Sequence, residues 1–125
     1  MTGTLRRQIT QESINRYGEL NGDNDQLHYD AEYARSRGFE GTIAHGLMLL
    51  GTVTELAVSR MGSAWFEQGY VGLKWIAPTH AGDEIVVAID DAGKIEVYAA
   101  AGRVVALGTA TSAGGGPSDQ TSGSE

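Results

Sequence analysis

Two side chains that can move protons lie five residues apart, in a segment too rich in glycine, asparagine and aspartate for regular structure. Asp23 supplies a carboxylate and His28 an imidazole, within the run GDNDQLH of residues 22–28. A carboxylate and an imidazole can act as general base and general acid on one substrate. An irregular loop lets both side chains project into one cavity. The pair predicts acid–base chemistry, and either group is a candidate for activating a water molecule.

A histidine–glycine pair, His45 and Gly46, opens the most apolar run of the chain. The first N–H groups of a helix have no acceptor within the helix, and its positive end favours negative charge. Glycine allows close approach to the backbone because it has no Cβ. The Gly46 N–H is therefore a candidate donor to a developing oxyanion. We interpret His45 as a structural residue that orients the loop before the helix.

A metal site is the alternative interpretation, with ligands drawn from Asp23, Asp25, His28, His45 and His80. No metalloenzyme spacing such as H-E-x-x-H is present, so we expect neither a metal nor another cofactor. Taken alone, Asp23 is also typical of a turn residue that satisfies its own backbone. His28 alone is equally typical of a hydrogen-bonded structural histidine.

Composition limits the classes of function. The chain has 125 residues and 41% hydrophobic content, which indicates one domain with a core of its own. Sixteen acids against nine bases give a net charge of −7, which argues against nucleic acid as a partner. Cysteine is absent, so thiolate chemistry is excluded. The longest apolar run, 43–50, is too short to span a bilayer, and with no targeting leader we expect a cytoplasmic protein.

The elements that must position these residues can be read from periodicity and turn chemistry. The long apolar stretch 47–61 predicts a central, largely buried helix, which needs a sheet to cover it. We therefore predict an α+β domain over 1–112, with a curved antiparallel sheet wrapped around that helix. Residues 113–125 are rich in Gly and Ser, and we expect a disordered, dispensable tail. The pattern predicts helices over 11–20, 31–37 and 47–61, a first strand over 4–9, and then four strands in antiparallel series over 69–76, 84–90, 95–101 and 103–112.

A combination of short motifs resembles a known family. They are Gly22-Asp23, Leu27-His28 and Asp30-Ala31, then Phe39, Gly41, Ile43, Ala44 and His45-Gly46, and later a strand–Pro–Gly-Asp pattern over 72–85. This combination looks like the hydratase motif of the MaoC-like, (R)-specific enoyl-CoA hydratases. The resemblance covers roughly residues 10–112.

The resemblance implies a single hot-dog fold, a homodimer, and acyl thioesters of coenzyme A or of a carrier protein as substrates. It implies that Asp23 and His28 act on water and that the Gly46 N–H holds the thioester oxygen. Thr54 stands where the family usually has a serine hydroxyl. Phe39, Ile43 and His45 complete the set of expected substrate-side residues.

One departure from the family pattern concerns the catalytic loop. The family usually has Asn-Pro where this chain has Asp25-Gln26. Losing the proline frees the loop, and Asp25 adds a carboxylate that can raise the pKa values of its neighbours. We therefore expect Asp25 to modulate the reaction.

The leading hypothesis is an (R)-specific hydratase or dehydratase of enoyl or 3-hydroxyacyl thioesters, in either direction. The alternatives on the same scaffold are a biosynthetic tailoring enzyme that dehydrates or oxa-cyclises, an acyl thioesterase, and a non-catalytic subunit. Hot-dog thioesterases usually work with a carboxylate and no Asp–His pair. The presence of both Asp23 and His28 argues against the non-catalytic role.

Overall fold

The computed structural model describes residues 3–112, apart from the side chain of Ala100. The tail expected over 113–125 lies outside these residues, as does its predicted dispensability. The elements are β1 (Gly3–Gln8), α1 (Gln11–Asn21), α2 (Ala31–Ser36), α3 (Gly46–Met61), α4 (Ser63–Gln68), β2 (Tyr70–Trp75), β3 (Glu84–Ile89), β4 (Lys94–Tyr98) and β5 (Val104–Thr111). Short 3-10 turns cover Gln26–His28 and Ala100–Gly102.

Five strands form one antiparallel sheet in the order β1-β3-β4-β5-β2. The expected series holds only for β3, β4 and β5, which are neighbours in both sequence and space. β1 pairs with β3 at one edge of the sheet. β2 therefore lies at the opposite edge, where it pairs with β5 and Trp75 is opposite Ala106. The segment between β2 and β3 must therefore cross the sheet, and it runs past the loop that precedes α3.

Helix α3 lies against the sheet and contacts β1, β2 and β3. Its buried residues include Leu49, Val53, Leu56 and Ala57, which recur at the spacing of one helical face. Full burial of an aliphatic side chain of this size contributes roughly 1.5–3 kcal/mol, so this face accounts for much of the helix's stability. The sheet contributes the facing residues, and the fully buried ones with large side chains are Ile85, Val87, Ile89, Ile95, Val97 and Val105.

Local capping signals set the limits of the early helices as predicted. The Thr10 side chain accepts from the Ser13 N–H at the start of α1, and Gly22 ends that helix in the left-handed region with φ 77°. The Asp30 side chain accepts from the Tyr33 N–H at the start of α2. These ends fix the loop between α1 and α2, which carries Asp23 and His28.

One element was not predicted and one strand end was wrong. Helix α4 follows Gly62, with Trp65 half-buried against the core. β4 ends at Tyr98, and the predicted continuation to residue 101 is a turn in which Ala101 has φ 60°. The run of alanines there has no β-branched side chain to favour a strand. Within residues 3–112, no helix combines the length and apolarity needed to cross a membrane.

Candidate active site

Successive turns organise the loop that carries Asp23. Its Oδ1 accepts the Asp25 backbone N–H at 3.0 Å, and the Asp25 Oδ1 accepts the Leu27 N–H at 3.0 Å. Each carboxylate therefore caps the backbone two residues on, as Asx turns do. One oxygen of Asp23 is used in building the loop, which leaves Oδ2 for other partners.

The second oxygen of Asp23 faces two imidazoles. Asp23 Oδ2 lies 3.3 Å from His28 Nε2 and 3.5 Å from His45 Nδ1. The Asp23 side chain is 39% exposed, whereas those of His28 and His45 are 11% and 3% exposed. The carboxylate thus connects two nearly buried rings to a surface that solvent reaches.

The other nitrogen of His28 is held by the backbone. His28 Nδ1 lies 2.9 Å from the Ile43 carbonyl oxygen. Since a carbonyl oxygen only accepts, Nδ1 carries the hydrogen and donates it. The nitrogen that faces Asp23 is then Nε2, which is free to take up or release a proton. This orientation is what an acid–base histidine requires.

A backbone hydrogen bond favours an ionised Asp23, and burial favours a neutral His45. The hydrogen bond from the Asp25 N–H lowers the pKa of Asp23 against the opposing effect of burial, and the charges of His28 and His45 lower it further. Burial lowers the pKa of His45, and the charge of His28 adds to that effect, while Ile14 and Asp23 act in the opposite direction. Within the described residues, neither ring nitrogen of His45 has a hydrogen-bond partner of good geometry.

Tyr29 stabilises the loop through a hydrogen bond to its backbone. Its hydroxyl donates to the Asp23 carbonyl oxygen. The ring approaches α1 closely at Gly18, where an added Cβ would overlap the tyrosine hydroxyl. Burial raises the pKa of Tyr29, and the charges of Asp23 and Asp25 raise it further, so this hydroxyl keeps its proton at neutral pH.

An open apolar groove of about 460 Å³ borders His28 and the start of α3. Gly46 is the first residue of α3, and its N–H has no acceptor among the backbone hydrogen bonds of the described residues. The Trp75 indole covers this glycine, because an added Cβ would lie 3.2 Å from Trp75 Cζ2. A helix N-terminal amide is therefore available beside an imidazole. The groove is lined by His28, Ile43, Ala44, Gly46, Leu49, Trp75, Ile76, Ala77, Pro78 and Thr79.

Some of the expected site residues lie elsewhere. Thr54 is half-buried two turns along α3 from Gly46, about 12 Å along the helix axis, and does not line the groove. Phe39 is half-buried after α2, where its N–H donates to the Ala34 carbonyl, and it does not line the groove either. Asp25 is exposed, and its side chain is turned to Leu27 rather than to the two histidines.

The donor atoms of Asp23, His28 and His45 lie within 4.8 Å of one another, as a metal site would need. The two rings, however, are stacked with their planes only 23° apart. Imidazole lone pairs lie in the ring planes, so nearly parallel rings direct them side by side rather than at one point. A common ion would need one ring to rotate. His80 belongs to another cluster, 3.9 Å from Asp83.

Several residues that support the site were not anticipated from the sequence. Gln11 Nε2 donates to the His28 carbonyl at 2.8 Å, and its Oε1 accepts the buried Thr42 hydroxyl at 2.6 Å. Tyr29 was likewise not singled out. Gln11 reads as an ordinary first residue of a helix, and no local signal marks its contact with a loop 17 positions away. Trp75 forms part of the groove wall.

The chain resembles known proteins in family, sequence and structure. A family model described as "MaoC like domain" matches residues 2–113. The (R)-specific enoyl-CoA hydratase of Rhodospirillum rubrum is 25% identical over 122 residues, covering 88% of this chain and 83% of the relative. The mitochondrial 3-hydroxyacyl-[acyl-carrier-protein] dehydratase of Arabidopsis thaliana is 31% identical over 81 residues, covering 64% of this chain and 47% of the relative. This chain therefore spans about half the length of the Arabidopsis protein.

The fold has solved counterparts. The (R)-hydratase from A. caviae superimposes with a TM-score of 0.74 at 18% sequence identity, over 88% of this chain and 92% of that one. At this identity the likeness concerns the fold alone. It confirms the expected hot-dog fold, an antiparallel sheet around a long helix.

Proposed function

Because this chain belongs to the MaoC-like domain family, we propose that it is a hydro-lyase that adds water to enoyl thioesters or removes it from 3-hydroxyacyl thioesters. The substrate is an acyl thioester of coenzyme A or of a carrier protein, and the hydroxylated partner has the (R) configuration. One relative is named for a coenzyme A thioester and another for a carrier-protein thioester, which supports this substrate class. The single observation that carries the proposal is the approach of Asp23 Oδ2 to His28 Nε2 at 3.3 Å, with His28 Nδ1 donating to Ile43.

In the hydration direction, the Asp23–His28 pair accepts a proton from water while the water oxygen bonds to C3 of the enoyl group. Electrons move through the double bond to the thioester oxygen, and the Gly46 N–H stabilises the resulting enolate. The pair then returns one proton to C2, so that water is added without net change to the protein. Dehydration reverses these steps through the same transition state. Each acid–base group contributes roughly 10²–10⁴-fold to the rate.

We also propose that the active form is a homodimer with its sites at or near the interface. β1 and β2 each pair on one side only within the described sheet, and unpaired edges invite a partner. Large apolar side chains beside the groove are exposed, with Trp75 at 46%, Ile76 at 49% and Leu47 at 60%. Sedimentation at micromolar concentration should give a dimer, and a purely monomeric species would contradict this.

The direct test of activity is loss of the enoyl thioester absorbance when the purified protein meets crotonyl-CoA. Asp23→Asn is the matched variant, because an amide oxygen can still accept the Asp25 N–H that shapes the loop. Chiral analysis of the product tests the (R) assignment, and release of free thiol identifies a thioesterase instead. If wild type and Asp23→Asn are equally inactive on both CoA and carrier-protein thioesters, the hydro-lyase proposal is wrong.

A further inference from the structure

A second cluster of charges lies outside the groove, between the β2–β3 connection and the start of β5. Asp83 Oδ2 accepts the His80 backbone N–H at 2.9 Å and an Nη2 hydrogen of Arg103 at 3.1 Å. The same guanidinium donates through Nη1 to the Pro78 carbonyl at 2.9 Å. The Asp83 side chain is only 18% exposed. One arginine therefore ties both ends of the segment 78–83 to the sheet.

That segment in turn holds the loop before α3. The Ala44 N–H donates to the Thr79 carbonyl at 2.7 Å, and the Ala81 N–H donates to the Thr42 carbonyl at 3.2 Å. These two bonds form an isolated antiparallel bridge between Ile43 and His80. The loop 42–44 belongs to no strand of the sheet, so this bridge is its main connection to the β2–β3 segment.

Ile43 is also the residue that orients the imidazole of the site. Its carbonyl accepts from His28 Nδ1, and its own N–H donates to the Leu27 carbonyl at 3.1 Å. The position of one backbone carbonyl thus decides which nitrogen of His28 carries the hydrogen. A continuous series of contacts joins Arg103 and Asp83, through His80 and Ile43, to His28.

We propose that Asp83 and Arg103 are positioning residues for His28, although neither lines the groove. Through the bridge at Ile43, their ion pair keeps His28 in the tautomer with hydrogen on Nδ1 and with Nε2 facing Asp23. The expected effect of these residues on turnover rests on the proposed function. Their effect on the His28 tautomer does not, because the tautomer is a property of the protein without substrate.

The neighbouring ion pair offers a matched control. Glu84 follows Asp83 directly and pairs with Arg6 at 3.4 Å, with side chains that are 52% and 68% exposed. Among the described residues, no side-chain hydrogen bond or ion pair joins either of them to the 78–83 segment or to Ile43. Exposed pairs of this kind contribute little to structure. Glu84→Gln therefore removes an adjacent carboxylate of similar type without touching the series of contacts.

The decisive measurement is nitrogen-15 NMR of the imidazoles at a pH where they are neutral. The chain has only three histidines, so assignment by single substitutions is direct. Wild type and Glu84→Gln should show His28 protonated on Nδ1. Asp83→Ala, which removes the acceptor for both His80 and Arg103, and Arg103→Met should show a mixture of tautomers. Arg103→Lys, which keeps the charge but cannot bridge Pro78 and Asp83 at once, should be intermediate.

Turnover should follow the tautomer. Misplacement of a catalytic group by about 1 Å can cost up to about 100-fold, so Asp83→Ala and Arg103→Met should lower kcat by about 10- to 100-fold with a smaller change in KM. If Arg103→Met fails to fold, Asp83→Ala and Arg103→Lys carry the test. A folded variant with wild-type His28 tautomer overturns the inference. If the variants shift the His28 tautomer but the wild-type protein turns over no thioester, the inference about Asp83 and Arg103 holds and the proposed function is wrong.

Discussion

The imidazole rings of His28 and His45 are stacked, with centroids 3.8 Å apart and planes inclined by 23°. Two protonated rings at this separation would repel each other strongly in a nearly buried position. Burial already lowers the pKa of His45, and the charge of His28 lowers it further. Protonation of His45 is therefore disfavoured in this stack. His45 is a neutral, buried ring beside the contact between His28 and Asp23.

The first prediction is that Asp23 and His28 act as one unit. Asp23→Asn and His28→Ala should each lower kcat by roughly 10²–10⁴-fold with little effect on folding. The double variant should lose far less than the product of the two, because groups that share one proton transfer are not additive. Steady-state kinetics on an enoyl thioester, with melting curves for each variant, measure this.

Multiplicative losses would mean that the two groups work independently, in conflict with the 3.3 Å contact between them. Unchanged turnover in both single variants would remove them from the reaction altogether.

The second prediction concerns the oxyanion donor. Gly46→Ala should lower kcat, because the added Cβ would lie 3.2–3.3 Å from the Trp75 ring and displace either the indole or the start of α3. Gly51→Ala is the control: it lies in the same helix with no atom within 4 Å of the added Cβ. That change should leave kcat unaltered and stabilise the helix by up to about 1 kcal/mol.

Trp75→Phe in the Gly46→Ala background relieves the crowding and should restore part of the lost activity. Equal kinetics for Gly46→Ala and Gly51→Ala would argue against a role of this amide in binding the thioester oxygen.

The third prediction separates the two carboxylates of the loop. Asp25→Asn should keep most of the turnover, because an amide can still cap Leu27 and the backbone N–H to Asp23 is unchanged. Removing a negative neighbour lowers the pKa values of nearby groups, so the acid limb of the pH–rate profile should move to lower pH. Asp25→Ala should also lose its cap, at a cost of about 1 kcal/mol in stability. An Asp25→Asn variant as inactive as Asp23→Asn would show that the wrong carboxylate has been placed at the centre.

Local signals were sufficient for much of the fold. Thr10, Gly22 and Asp30 mark helix ends through side-chain and backbone preferences that act within four residues, and the helices predicted over 11–20 and 31–37 were confirmed to within one residue. The buried α3 followed from its apolar periodicity. The strand order did not, because pairing β2 with β5 instead of β3 depends on contacts between residues more than 30 positions apart.

In the site, too, local contacts could be predicted from the sequence and long-range contacts could not. The Asp23–His28 contact arises within one loop and could be expected from spacing. The contacts that orient His28 come from Ile43, Gln11 and, further away, Asp83 and Arg103, and no periodicity relates these positions to the loop. Gly82-Asp83 reads as a turn, which it is, and nothing in that pattern indicates which arginine the carboxylate meets.

The last prediction is a dependence of stability on pH that comes from His45. Its pKa in the folded protein lies below the ordinary value of 6.5, so the unfolded chain binds the proton first as pH falls. The stabilising contribution of a neutral His45 is therefore complete above about pH 6.5 and is lost progressively as pH falls towards the folded pKa. The corresponding window for Asp23 lies below its ordinary pKa of 3.8, outside the range from pH 7 to pH 5. Melting temperatures measured from about pH 7 to pH 5 should fall more steeply for wild type than for His45→Gln, which cannot take up a proton. Parallel curves would mean that His45 titrates alike in both states, and that the buried ring is not held neutral beside His28.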